Sequence, residues 1–249
     1  MQRVAFVFIF ISGIASLGSC AQEPAICGSP SHQIWTDLLT THVGSDGWVS
    51  YQGFIADSVK LNQYLKILSK CAPNANWTEG ERLAFWINAY NAFTIKLIVD
   101  HYPVSSIKDI KKGIPFINSV WDIDFFKIGG REMDLNEIEH SILRKEFDEP
   151  RIHFAIVCAS KSCPKLRNEA YTAKSLDQQL EEQTVDFINS DRNLLGGEKI
   201  KLSLIFNWFK KDFTKHRTLK EFLKLYAKGS VNEKAKIKYL EYDWSLNGK

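Results

Sequence analysis

The segment from Glu79 to His101 constrains the fold of this chain more than any other. Leu83, Phe85, Ile87, Ala89, Phe93, Ile95, Leu97 and Ile98 fall on every side of a helical wheel, leaving almost no polar face. A helix apolar nearly all round has to be enclosed by other elements. Thr78 with Glu81 three residues on supplies a capping box at its start, and Pro103 stops it. Asn88 and Asn91 lie on one side of this helix, at i and i+3. Buried amides require hydrogen-bond partners, so both are expected to brace something.

A second helix is predicted near Leu135, with Asp134 and Glu137 as its N-terminal capping pair. At 100° per residue Leu135, Ile138, Ile142 and Leu143 form one arc, and Glu139 falls in its middle. A carboxylate aimed into a core is costly unless paired or protonated. The run Arg151–Cys158 reads as a buried strand, and Ala159–Pro164 as a turn-rich loop. Ser175–Ile188 and Thr218–Lys228 read as helices, with a short one around Trp208, Phe209 and Phe213, and Ile237–Trp244 reads as a late strand. Helices with a few strands and no regular βαβ spacing imply an α+β fold. In the architecture expected, helices surround the long buried one and pack on a small, mostly antiparallel sheet.

Hydrophobic residues make up 45% of the 249 and charged ones 24%, the balance of a globular domain. A net charge of +3, without basic runs interleaved with aromatics, argues against nucleic acid as a partner. Met1–Ala21 reads as an export signal: Arg3 precedes an apolar run, and small residues lead to Cys20. Leu17-Gly18-Ser19-Cys20 resembles a lipobox, which would make Cys20 an acylated N-terminus and the chain a periplasmic or outer-membrane lipoprotein of the cell envelope. Alternatively, cleavage after Ala21 yields a secreted soluble chain. Residues 22–33 read as a tether and 34–249 as a single globular domain. In an oxidising compartment Cys27 and Cys71 make a plausible staple. Neither Gly129-Gly130 nor Gly196-Gly197 has a phosphate-loop context, and no metal-ligand spacing is present, so no cofactor or metal is expected.

Three stretches resemble the domain-of-unknown-function 547 (DUF547) family, in its bacterial envelope members: Ala84-Phe85-Trp86-Ile87-Asn88-Ala89-Tyr90-Asn91-Ala92, the segment around Ile138-Glu139-His140, and Arg151–Leu166 with Ser162-Cys163-Pro164. The closing Tyr242-Asp243-Trp244-Ser245-Leu246-Asn247 is similar to the family's tail. The family core covers about 77–189. The resemblance implies a papain-like or transglutaminase-like hydrolase fold with a Glu-His-Cys centre: Glu139, His153, and either Cys158 or Cys163.

In that reading Cys163, in a polar loop, is the preferred nucleophile. In an unbroken strand Cys158, five residues from His153, points to the opposite face. His153 acts as base, Glu139 orients it, and Asn88, Asn91 and His140 bind or brace, the asparagines as possible oxyanion donors. The chain is then a cysteine-dependent hydrolase or transferase of amide or thioester bonds. The alternatives are a non-catalytic module binding a peptide or a thiol-containing small molecule, and a scaffold in which Cys158 and Cys163 form a disulfide.

Overall fold

A computed structural model describes residues 27–111 and 119–249. The export-signal reading, Cys20 included, lies outside the described residues. Three helices, α1 (Gln33–His42), α2 (Tyr51–Ala56) and α3 (Ser58–Lys70), precede the long α4 (Glu79–His101). The expected capping box opens α4: Thr78 accepts from the Glu81 N–H, and the Glu81 carboxylate accepts from the Thr78 N–H at 2.8 Å. Phe85, Ile87 and Ile98 are fully buried, and each contributes about 2 kcal/mol by leaving water. α2, α3 and the segment carrying Glu139 pack around it, so α4 is the central helix the sequence implies.

Strands β1 (Phe126–Ile128) and β2 (Arg131–Met133) form an antiparallel hairpin. Gly129 and Gly130 turn it, both at positive φ, as a two-residue hairpin turn demands. Glu137–Leu143 then winds as a π-helix, a wide turn frequent at functional sites. It runs into the short α5 (Arg144–Glu146).

Arg151–Cys158 is not the strand its apolar run suggests. Pro150 occupies the first turn of a 3-10 helix, Pro150–Phe154, and the Glu149 side chain caps the Arg151 N–H. The chain continues through α6 (Leu176–Ile188), β3 (Lys199–Leu202), α7 (Ile205–Trp208), α8 (Lys210–Phe213), α9 (Leu219–Tyr226) and β4 (Lys236–Tyr239). β4 keeps only the start of the late strand expected through Trp244. It pairs parallel to β3, so among the described residues two separate two-stranded sheets, one antiparallel and one parallel, replace the single mostly antiparallel sheet. The class is α+β.

Two hydrophobic clusters organise the core. The first is built on α1–α4, the hairpin and the π-helix. The second is a phenylalanine cluster of Phe154, Phe187, Phe206, Phe213 and Phe222. The 3-10 helix joins them: Ile152 and Ala155 belong to the first cluster and Phe154 to the second. Cys27 and Cys71 are disulfide-bonded across 44 positions, a closure that contributes about 2–4 kcal/mol.

Candidate active-site cleft

A cleft of about 190 Å³ opens where the two clusters meet. Glu139, His140, His153, Cys158 and Cys163 all line it. Those residues come from the π-helix, the 3-10 helix and the loop beyond it. Asn88 and Asn91 stand behind the wall. Asn91 Nδ2 donates to the Ala155 carbonyl at 2.9 Å, and its Oδ1 accepts from the Val157 N–H at 2.9 Å. Asn88 clamps Tyr171 in the same way, at 2.8 and 2.9 Å. Neither amide lines the cleft, so neither is placed to donate to an oxyanion there.

Cys158 and Cys163 are free thiols, not a disulfide. The Cys163 sulfur accepts the Cys158 N–H at 3.0 Å and the Tyr242 hydroxyl at 3.2 Å. Burial raises the Cys163 thiol, but hydrogen bonds from the Cys158 thiol, Tyr242 and the Cys158 N–H outweigh it and hold the group below the ordinary thiol range. Cys158 is pushed up, by its hydrogen bond to Cys163 and by burial. Burial and the two neighbouring sulfurs keep Tyr242 protonated, so it remains a donor.

Tyr242 reaches the sulfurs because the C-terminal segment is stitched to the thiol loop. Lys161 N–H donates to Ser245 O at 2.9 Å, Ser162 N–H to Asp243 O at 3.2 Å, and Asn247 N–H to Ala159 O at 3.1 Å. Ala159 takes a φ of +58°, a left-handed conformation costing about 1 kcal/mol for a residue with a Cβ. That turn brings the Cys158 amide back onto Cys163, so the opposite-face argument, which holds for a strand, does not apply.

His153 is buried, and its Nε2 bonds Asp212 Oδ2 at 2.8 Å. The expected orienting acid was Glu139; the acid found on the imidazole is Asp212, from α8. An ionised carboxylate only accepts, so Nε2 carries the proton and Nδ1 the lone pair. Nδ1 is buried without a hydrogen-bond partner among the described residues. Phe209 stacks on the ring at 3.9 Å. Burial drives the His153 pKa down to about 4 despite Asp212. Arg144 grips Asp212 with Nε at 2.6 Å and a second nitrogen at 3.1 Å. Burial raises Asp212, but the bonds from His153 and Arg144 prevail and leave it far below the usual carboxylate range.

Glu139 is buried as the helical arc implies. Desolvation raises its pKa to about 7, against the lowering effect of the Tyr90 hydroxyl and Arg144. Its proton is therefore exchangeable at neutral pH. His140 accepts from Arg144 at 3.0 Å through Nδ1. Arginine has no lone pair to offer, so His140 keeps its proton on Nε2, as a neutral donor.

Sequence reasoning missed Asp212, Arg144 and Tyr242 as members of this group. Tyr242 carried a signal, since it lies in the tail segment that resembles the family; Asp212 carried none. Among the described residues no cluster of three or more His, Cys, Asp and Glu is placed to hold a metal ion. None of the described helices is long and apolar enough to cross a membrane.

Residues 74–188 match the profile of a family described as protein of unknown function, DUF547. The match takes in α4, Glu139, His153 and both thiols, while Asp212 and Tyr242 lie beyond it. No curated protein and no solved structure matches the chain, so no neighbour supports a papain-like fold.

Proposed function

We propose that this chain is a cysteine-dependent acyl hydrolase or transferase, acting on amide or thioester bonds, with Cys163 as nucleophile. The observation that carries the reading is the Cys163 sulfur, which takes hydrogen bonds from the Cys158 N–H and Tyr242 at the wall of a cleft that Glu139 shares. Thiolate is the nucleophilic form, and these donors favour it.

The proton inventory assigns the remaining roles. His153, near pKa 4, holds no transferable proton at neutral pH, whereas Glu139, near 7, does. In the first step the thiolate attacks the carbonyl carbon. The S–C bond forms, the bond to the leaving nitrogen or sulfur breaks, and Glu139 gives that atom its proton. In the second, water attacks the thioester and returns a proton to Glu139, and the Cys163 thiolate departs. Transfer uses another acceptor in place of water. The His140 Nε2–H is a donor for the developing oxyanion. His153, its tautomer held by Asp212, carries Phe209 stacked on its ring and so fixes the wall of the cleft.

Acid-quenched intact mass after mixing with S-acyl N-acetylcysteamine thioesters and peptide anilides tests this. An acyl adduct on Cys163 is expected, with turnover falling about 10³-fold or more in Cys163→Ala. Turnover that survives Cys163→Ala, or a wild-type chain that no probe acylates, contradicts it; the latter outcome fits a binding module. Export belongs to the same proposal, with Cys20 lipidated. The Cys27–Cys71 disulfide supports an oxidising compartment, and N-terminal mass of the processed chain, expected to begin at acylated Cys20, reads it; an intact Met1 overturns it.

A further inference from the structure

The loop from Cys158 to Cys163 holds two reduced sulfurs in one hydrogen-bonded cluster. The Cys158 N–H donates to the Cys163 sulfur at 3.0 Å, and the Tyr242 hydroxyl lies 3.4 Å from the Cys158 sulfur and 3.2 Å from the Cys163 sulfur. The turn at Ala159 and the Cys163 N–H bond to Ser160 O at 3.1 Å fold the intervening residues so that both thiols reach one hydroxyl. Acyl chemistry calls on only one of them.

We infer that Cys158 and Cys163 are a reversible dithiol–disulfide modification site, in which a hydroperoxide oxidises Cys163 and Cys158 resolves the product. The inference rests on Cys163 being the reactive thiolate and not on its acyl chemistry. Cys163 attacks one peroxide oxygen: an S–O bond forms, the O–O bond breaks, and the departing alkoxide or hydroxide takes up a proton to leave as an alcohol or water. The Cys158 sulfur then attacks the sulfenic sulfur of Cys163. The S–S bond forms, the S–O bond breaks, and hydroxide leaves with the Cys158 proton as water. Two electrons pass from the thiol pair to the peroxide.

The asymmetry of the pair suits both directions. Cys163 receives the donors that make a thiolate, while Cys158 keeps its proton until a sulfenic acid needs resolving. In reduction Cys158, the less buried of the two residues, is the one an incoming thiolate reaches, and Cys163 is the better leaving group. Closure withdraws the nucleophile, protecting it from irreversible oxygenation and switching the cleft off.

The full chain is treated with equimolar hydrogen peroxide, then with N-ethylmaleimide, and read by intact mass and peptide mapping under non-reducing conditions. Expected is the joint loss of alkylation at Cys158 and Cys163, a decrease of two hydrogen masses, a peptide linking the two, and full restoration by dithiothreitol. In Cys158→Ser the expectation is oxygen addition at Cys163 that dithiothreitol does not fully reverse. Oxygen addition at wild-type Cys163 with Cys158 still alkylatable overturns the inference. No acyl substrate is present, so a chain that closes its disulfide but is never acylated loses the acyl reading alone. One that is acylated when reduced, yet neither closes nor slows under peroxide, loses this one alone.

Discussion

Glu139 and His153 are both buried in the same wall, and burial moves their protons in opposite directions. His153 is held near 4, below the ordinary imidazole value of about 6.5. Between those values the unfolded chain binds a proton that the folded chain refuses, so this residue makes stability rise with pH across that window. Buried His32, also near 4, acts in the same sense. Glu139 opposes them. Its folded pKa of about 7 exceeds the ordinary 4.5, so the stability it confers is full below 4.5 and lost as pH rises through 7. Glu139→Gln should therefore steepen the gain in stability from pH 4 to 8. Urea unfolding is expected to show the variant more stable than wild type by about 2–3 kcal/mol at pH 8 and little changed at pH 4, with acyl turnover lost. Equal or lower stability at pH 8 would sink the assignment of Glu139 as the group carrying a costly, useful proton. The inward carboxylate was legible from helical periodicity alone. Its role was not, because the acid that meets His153 comes from Asp212, 59 positions along the chain, and no local pattern links the two.

The same logic extends from side chains to the elements that hold them. α4, with its capping box and buried flank, was legible because local signals and burial agree over 23 residues. The segment 151–158 was misread because an apolar run states that a segment is buried, not what it pairs with. Here Pro150 and the Glu149 cap start a 3-10 turn. The Asn91 amide then bonds Ala155 O and Val157 N–H as a neighbouring strand would. Asn91→Ala leaves both buried backbone groups unpaired, at a cost of about 3 kcal/mol. Asn88→Ala should cost a similar amount, since it frees the corresponding pair on Tyr171. Only Asn91→Ala is expected to slow alkylation of Cys163, because Val157 adjoins the Cys158 amide that bonds the sulfur. Urea unfolding and labelling rates on both variants check this; identical labelling would mean that the α4 clamp does not govern the site.

Across the whole molecule, the cleft exists because two hydrophobic clusters share one short 3-10 helix and because the tail returns to close it. The buried faces of the helices followed from apolar periodicity, whereas the seam between the two clusters did not. It depends on contacts between Phe154 and the later helices, and on the ladder from residues 159–162 to 243–247 that delivers Tyr242. The central claim is that this convergence turns Cys163 into a standing thiolate. The pH dependence of iodoacetamide labelling in the native, reduced full chain, resolved cysteine by cysteine, tests it most directly. Cys163 should label ahead of Cys158, with a midpoint well below the ordinary thiol value of about 8.5 that moves upward in Tyr242→Phe. Slow labelling of both cysteines that rises only in the ordinary thiol range, or Cys158 reacting first, would contradict it.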